Sequence, residues 1–210
     1  MFRLYLVTDR AAVPGGDLVR AVERALAGVP PGTLAVQLRE QDLGGRHLLR
    51  LAEEVRGVTR AAGVPLLVND RVDVALAAEA DGVHLPEGGL PVAEARRLLG
   101  AGRLIGASAH SAEAARAAAE AGADFVVFGP VFATPSKARY GPPQGLGPLG
   151  TAARAAGHVP VLAIGGIEPD HALECVRAGA AGVAVIRSAF GAADPAAAVA
   201  ALLGRLGGNE

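Results

Sequence analysis

The chain predicts an α/β protein: one (β/α)8 TIM barrel of minimal size, occupying residues 1–210 as a single domain. Three observations predict it. Short β-branched apolar runs alternate eight times with longer segments rich in Ala, Leu, Arg and Glu, as strands do when each is followed by a covering helix. The runs are apolar nearly throughout, as strands covered on both faces are. One phrase also returns where helices feed strands: Glu79-Ala80-Asp81-Gly82, Ala121-Gly122-Ala123-Asp124 and Ala178-Gly179-Ala180-Ala181-Gly182. Gly near a helix C-terminus supplies a left-handed cap, and a turn used three times marks a repeated unit. The rival, a doubly wound open sheet, opens with a Gly-rich turn after its first strand. Here Val7-Thr8-Asp9-Arg10 stands in that place.

In order, the strands are read at Leu4–Thr8, Ala35–Arg39, Leu66–Asn69, Gly82–Leu85, Leu104–Ser108, Phe125–Phe128, Val161–Ile164 and Gly182–Ile186. Helical segments between them include Asp17–Ala27, Arg46–Ala62, Pro91–Leu99, Ala112–Ala121, Pro169–Ala178 and Pro195–Leu206. Ser111 precedes Ala112-Glu113 as an N-cap, Pro91 opens a first turn, and Asp194-Pro195 opens the last helix. No linker interrupts the series.

Composition narrows the function. Hydrophobic residues make up 51% and charged residues 20%, so the chain is globular and not disordered. A net charge of −1 gives no basic field for nucleic acid or an anionic membrane. Aromatics at 3% supply no base-stacking platform. No apolar run approaches the ~20 residues that span a bilayer, and the N-terminus meets Asp9 too early for a secretory segment. Cys175 is alone, which excludes a disulfide framework and reads as a buried inert thiol. The expectation is a soluble cytoplasmic protein with neither nucleic-acid nor membrane partners; a homo-oligomer stays open.

Barrel chemistry sits at the C-terminal strand ends, and the polar residues gather there. Strand one ends in Thr8-Asp9; strand two carries Gln37, Arg39 and Glu40; strand three ends in Asn69-Asp70-Arg71. His84 ends strand four, Ser108 and His110 follow strand five, and strand six leads to Thr134 and Lys137. Gln37 and Arg39, two apart, face the same way. Buried polar groups need partners, which a ligand at the mouth or a network with Asn69 would supply.

Strand seven ends Ile164-Gly165-Gly166-Ile167 and strand eight Ile186-Arg187-Ser188. Barrels often hold a phosphate between the loops after these two strands, where Gly lets backbone N–H groups approach an anion and a helix N-terminus adds its dipole. Gly165, Gly166, Ile186, Arg187 and Ser188 are therefore the phosphate candidates; the alternative is that the Gly pair merely turns the chain. His84 and His110 lie on the chemical side and are candidate acid/base groups. For His84 a structural, hydrogen-bonded role stands equally open. His47, His171 and His158 read as solvated surface. Residues Ala133 to Gly150 read as a long loop with four Pro and four Gly, of the kind used for lids. It carries Arg139, Tyr140 and Lys137, the sole lysine among twenty basic residues. Lys offers a point charge to a phosphate or carboxylate where Arg offers a planar fork; drift under an Arg-rich composition is the bland alternative.

Over nearly its whole length the chain resembles the thiamine phosphate synthase/TenI superfamily. The matching stretches are Leu4-Tyr5-Leu6-Val7-Thr8-Asp9, Val36-Gln37-Leu38-Arg39-Glu40, Val68-Asn69-Asp70-Arg71-Val72-Asp73-Val74-Ala75, Asp81-Gly82-Val83-His84-Leu85, Gly129-Pro130-Val131-Phe132-Ala133-Thr134 and Ala163-Ile164-Gly165-Gly166-Ile167. Resemblance to the synthase implies that Gln37 and Asn69 meet an aminopyrimidine, and that Arg39, Ser108 and Lys137 hold its pyrophosphate. It implies that Asp70 binds Mg²⁺, and that Thr134, Gly166, Ile186 and Ser188 hold a thiazole phosphate.

Two positions depart from the synthase. Gln41 stands where its motif has Lys, and Gly89 where its His-x-Gly-Gln-x-Asp run places a second Mg²⁺ ligand. Two lost charged contacts, at roughly 1.5–3 kcal/mol each, amount to ~10²–10⁴ in transition-state binding; Glu87 is a candidate replacement ligand. His84-Leu85-Pro86, followed by Gly89-Leu90-Pro91-Val92, is similar to the TenI branch, which tautomerises a carboxythiazole phosphate without a metal. Against that branch, Gly129-Pro130-Val131-Phe132 lacks the His after strand six that characterised TenI-type enzymes resemble each other in carrying. The proton shuttle would then fall to His84, His110 or Glu40. The leading expectation is a TenI-type tautomerase needing no cofactor, with a phosphorylated thiazole as its small-molecule partner. The alternative is thiamine phosphate synthase with Mg²⁺. A non-catalytic precursor binder and a Schiff-base aldolase using Lys137 rank below both. If Lys137 pairs with an anion, Lys137→Ala will weaken affinity or turnover by roughly 1.5–3 kcal/mol in steady-state kinetics; unchanged kinetics return it to drift.

Overall fold

The computed structural model describes residues 1–134 and 142–207. Eight parallel strands close in sequence order into a barrel: β1 (Leu4–Val7), β2 (Leu34–Leu38), β3 (Leu66–Asn69), β4 (Gly82–Leu85), β5 (Leu104–Ala109), β6 (Phe125–Phe128), β7 (Val161–Ile164) and β8 (Gly182–Val185), with β8 pairing back onto β1. Every expected strand is present, with its ends within one residue of the sequence reading. The helices are α1 (Leu18–Leu26), α2 (Gly45–Ala61), α3 (Val72–Ala77), α4 (Val92–Leu99), α5 (Ala112–Glu120), α6 (Leu146–Ala155), α7 (Pro169–Arg177), α8 (Arg187–Phe190) and α9 (Pro195–Gly207). Short polar side chains start several of them. Asp17 accepts from the Arg20 N–H, Ser111 from Ala114, and Asp194 from Ala196 and Ala197, each satisfying donors that a first turn leaves free.

The strands are apolar on both faces, yet the barrel sorts them with period two. Leu4, Leu6, Val36, Leu38, Leu66 and Val68 pack outward in the large cluster shared with the helices. Tyr5, Val7, Ala35, Leu67, Phe125, Val127, Leu162 and Ala184 form a separate cluster in the lumen, floored by Phe2. Phe125 meets Phe2 and Tyr5 edge-on, each at a 5.2 Å ring separation, the favourable aromatic geometry.

The recurring turn phrase closes the N-terminal rim. Asp81 accepts from the Leu66 N–H at 2.7 Å and from Arg56 of α2 at 2.9 Å. Asp124 repeats this with the Ile105 N–H and Arg96 of α4, both at 2.7 Å. The third copy has Ala181, which keeps only the backbone bond to Val161 O. The glycine that follows Asp81 or Ala181 is sterically required: a Cβ at Gly82 would lie 2.1 Å from Leu104 O, and one at Gly182 2.0 Å from Arg3 O.

The expected long loop is shorter than the sequence suggested. Leu146 to Gly150 belong to α6, with Pro148 in the first turn, where its missing N–H costs nothing. Leu149 and Ala152, three apart, are fully buried and set the helix against the barrel; the Gly/Pro-rich composition concealed that spacing. Lys137, Arg139 and Tyr140 lie outside the described residues. Among the described residues, no helix is long and apolar enough to cross a membrane.

Gly182→Ala will destabilise the barrel by about 1–3 kcal/mol, the range for overpacking a core. Gly57→Ala, mid-α2 with nothing within 4 Å of its added methyl, will stabilise by about 0.5–1 kcal/mol. Urea unfolding of both variants checks the pair.

Candidate active site

Tyr5, Gln37 and His84 line the deep part of the mouth. Gln37, buried opposite Val7 in the register, donates its Nε2–H to the Tyr5 hydroxyl at 3.2 Å. Burial holds the Tyr5 phenol well above its ordinary range, with the Gln37 hydrogen bond opposing weakly, so it stays protonated. Asn69 is opposite His84, and His84 opposite Gly106. His84 Nε2 lies 3.0 Å from Ser108 Oγ, while Nδ1 has no hydrogen-bond partner among the described residues. A Cβ at Gly106 would lie 2.7 Å from that Nδ1 and 2.3 Å from Phe125 Cζ, so position 106 has room only for glycine. His84 is 3% exposed. Burial, with the Arg39 charge adding, pushes its pKa down to about 3. The imidazole is therefore neutral where the sequence reading had it titrating: it keeps one ring N–H and can hydrogen-bond a ligand, but near neutrality it is a weak base.

Above this floor a buried lattice joins β1 to β2. The Thr8 hydroxyl donates to Glu40 Oε1 at 2.7 Å and accepts the Arg39 N–H at 2.9 Å. Glu40 Oε2 accepts from the Arg10 N–H and Nε at 3.2 and 3.1 Å, and Arg10 Nη2 reaches Asp42 at 2.6 Å. Both oxygens of Glu40, 6% exposed, are thus committed to holding the rim, which withdraws it as a proton shuttle. Arg39 donates to Gln41 Oε1 at 3.0 Å. Among the described residues no carboxylate pairs with Arg39, which leaves its charge available to an anion at the mouth.

Asp70 follows β3 with φ +62 and an exposed side chain. Its N–H bonds His84 O at 2.8 Å, which fixes it beside the end of β4. Its neighbour Arg71 pairs with Asp73 instead. Glu87, three residues past His84, accepts on Oε2 both the His110 N–H and His110 Nδ1, each at 2.7 Å. His110 is tied to Glu87 on the half-exposed rim.

The third wall is the turn after β7. Gly165 and Gly166 have φ of +101 and +63, conformations open to glycine. A Cβ at Gly165 would meet Pro130 Cα at 2.7 Å, and one at Gly166 would meet Ala133 O at 2.4 Å. The segment past β6 lies along this turn, with Val131 N–H donating to Ile164 O and Phe132 N–H to Gly165 O. The Gly pair therefore turns the chain and also admits its neighbour. The N–H groups of Gly166 and Ile167 find no acceptor among the described residues, an arrangement that favours anions. Ile186 lies half-buried against the lumen, and α8 begins at Arg187-Ser188, where first-turn N–H groups have no helical partner. The Ser188 hydroxyl donates to Ile167 O, so that side chain supports the turn and leaves only its amide for an anion. Thr134 is half-buried on the adjoining segment.

Sequence reasoning missed three features. Tyr5 supports Gln37, and its period-two spacing with Val7 was the available signal. Glu87 and His110 pair across neighbouring strand ends, which no local pattern records. His171, read as solvated surface, is half-buried and stacked on Phe132, with ring centroids 4.1 Å apart.

Comparison with known proteins gives one consistent picture. The family model described as thiamine monophosphate synthase, TMP-TENI, matches residues 4–189. A relative in Geobacter sulfurreducens is 53% identical over 98% of this chain and 94% of its own length. A protein of Roseiflexus castenholzii named thiamine-phosphate synthase is 49% identical over 95% of this chain and 86% of its own. Among solved structures, a thiamine phosphate pyrophosphorylase from Pyrococcus furiosus superposes with a TM-score of 0.85 at 36% identity, covering 98% of this chain and 96% of its own.

His84 carries a pH prediction. An unfolded histidine titrates near 6.5 and the folded His84 near 3. Between those values the unfolded chain binds a proton that the folded chain refuses, so stability falls as pH drops below about 6.5, and His84 adds no slope above it. His84→Gln will lose less unfolding free energy than the parent between about pH 6.5 and 4.5, measured by urea titration at each pH.

Proposed function

The chain belongs to the thiamine monophosphate synthase family of thiamine-biosynthesis enzymes, and we propose that it is the synthase itself, joining a hydroxymethylpyrimidine pyrophosphate to a thiazole phosphate. The observation that carries this reading is near-full-length identity of about half to relatives bearing the synthase name. It reverses the order expected from sequence, where two departures had put the tautomerase first. The site geometry leans the same way. A tautomerase needs a proton shuttle, and of its candidates Glu40 has both oxygens bound while burial leaves His84 a weakened base.

In the proposed reaction a C–N bond forms between the thiazole nitrogen and the pyrimidine methylene carbon. The C–O bond to pyrophosphate breaks, and its electron pair departs with the leaving group. No proton need move to the protein, so catalysis rests on stabilising charge on the pyrophosphate. Arg39, lacking a carboxylate partner among the described residues, is suited to that charge. Ser108 would add a neutral hydrogen bond, with Lys137 as a third proposed contact. Gln37, braced by Tyr5, and Asn69 would hold the aminopyrimidine. The Gly166 and Ile167 amides, with those of Ile186, Arg187 and Ser188, would hold the thiazole phosphate beside Thr134.

Mg²⁺ fits this donor set. Among the described residues Asp70 offers an exposed carboxylate without an ion pair, and no cluster of three acidic, His or Cys groups would hold a metal alone. One carboxylate plus substrate phosphate oxygens is how Mg²⁺ is usually held. Asp70 would hold it, with Glu87 Oε1 as the second protein oxygen, and bound Mg²⁺ would offset negative charge on the departing pyrophosphate.

Purified protein given both substrates and Mg²⁺ will form thiamine phosphate with equimolar pyrophosphate, and Asp70→Asn will cut kcat/KM at limiting Mg²⁺ by at least about tenfold. Absence of product together with catalysed tautomerisation of carboxythiazole phosphate, followed by NMR, would restore the other branch. Binding of thiazole phosphate in calorimetry without either reaction would identify a precursor binder.

A further inference from the structure

The phosphate-facing turn is held by its carbonyls. Gly165 O accepts the Phe132 N–H at 3.0 Å from the segment past β6. Gly166 O lies 2.9 Å from His171 Nδ1 on α7. Ile167 O accepts the Ser188 hydroxyl on α8. Three successive carbonyls are thus gripped by donors from three different elements. In a trans peptide the C=O and the following N–H point in opposite directions. Gripping Gly165 O therefore sets the direction of the Gly166 N–H, and gripping Gly166 O sets that of the Ile167 N–H. Neither of these two amides finds an acceptor among the described residues.

Of the three grips, two belong to groups with other duties: a backbone amide, and a residue proposed to offer its own amide to the anion. We infer that His171 is a positioning residue, which holds the Gly166–Ile167 peptide so that its N–H serves a substrate phosphate without itself touching substrate. This rests on the synthase reading. The ring does two things at once. Its face stacks on Phe132, 4.1 Å between centroids and 16° from parallel, which ties the segment past β6 to the same turn. Its Nδ1 also lies 3.3 Å from the Glu168 N–H, in the α7 capping box. One nitrogen cannot donate to Gly166 O and accept from Glu168 together. The shorter contact favours Nδ1–H donating to Gly166 O, with Glu168 capping α7 from its own side chain.

The test separates donor from stack. His171→Asn keeps an N–H donor and loses the stack; His171→Phe keeps an aromatic face and loses the donor. The Phe variant should raise KM for thiazole phosphate by about three- to tenfold, the value of one neutral hydrogen bond. KM for the pyrimidine pyrophosphate and kcat at saturation should stay within about twofold, while the Asn variant restores the thiazole KM. Inhibition by the unphosphorylated thiazole alcohol should be the same in parent and Phe variant, since it lacks the anion. Equal shifts in both KM values, an equal loss of alcohol binding, or Asn behaving like Phe would overturn the inference. Melting temperatures close to the parent's will establish that both variants are folded. A parent protein that makes no thiamine phosphate fails the synthase reading; a parent that makes it, with a Phe variant of unchanged KM, fails this inference alone.

Discussion

Closure of the barrel in a fixed register is the constraint on which everything else depends. Each strand offers the lumen only every second residue, and the lumen has room for few side chains. The lower part is filled by Phe2, Tyr5, Leu67, Phe125 and Leu162, and Gly106 makes way for the Phe125 ring. One step further along the strands the inward positions become Gln37, Asn69, His84 and Ser108. The polar floor is thus the next layer of the same packing pattern, and its directions are set by the apolar layer below. That explains how short strands can hold a site firmly: the side chains that would meet substrate leave rigid backbone, while the charged groups sit on the turns just beyond.

This layering also divides the electrostatics. Deep in the mouth all groups are neutral under working conditions, with a protonated phenol, two amides, an uncharged imidazole and a hydroxyl. At the rim, Arg39 keeps its charge free of a carboxylate among the described residues, while Arg10 spends its own on Glu40 and Asp42. A neutral floor beneath a cationic rim suits a flat heterocycle joined to a polyanion. Glu40 is part of that division: by accepting from Thr8 and Arg10 it secures the backbone from which Arg39 projects, at the cost of its own proton chemistry.

The strands were legible because continuous apolar runs have one explanation in a chain with this alternation. The turn after the seventh strand was legible because a Gly pair at a strand end has a position as well as a composition. What stayed hidden has a common physical cause: residue type does not record where a hydrogen bond is committed. His84 reads as a titrating group until burial is known, and Ser188 as an anion donor until its hydroxyl is found on Ile167 O. His171, on a helix N-terminal turn, has the pattern of a surface residue, yet that turn packs against Phe132. α6 was concealed by Gly and Pro in a first turn that tolerates both. The order of the two candidate reactions was set for a related reason, since two substituted positions were weighed more heavily than the whole chain, whose named relatives favour the alternative.

Gly89 shows why such a substitution misleads. Losing a carboxylate matters in proportion to the share of coordination that the protein supplies, and for Mg²⁺ bound with a pyrophosphate that share is small. Position 89 also sits in a tight turn, where a Cβ would lie 3.0 Å from Pro86 Cγ and 3.1 Å from Pro86 O. The proline two places past His84 therefore disfavours a side chain at 89, and the acidic group appears two residues earlier, at Glu87. There His110 anchors one of its oxygens through both a backbone and a ring N–H, and the other has no partner among the described residues. A carboxylate so held is already oriented before any cation arrives, so a shift of two residues along the turn can keep the charge at the mouth while changing the motif that spells it.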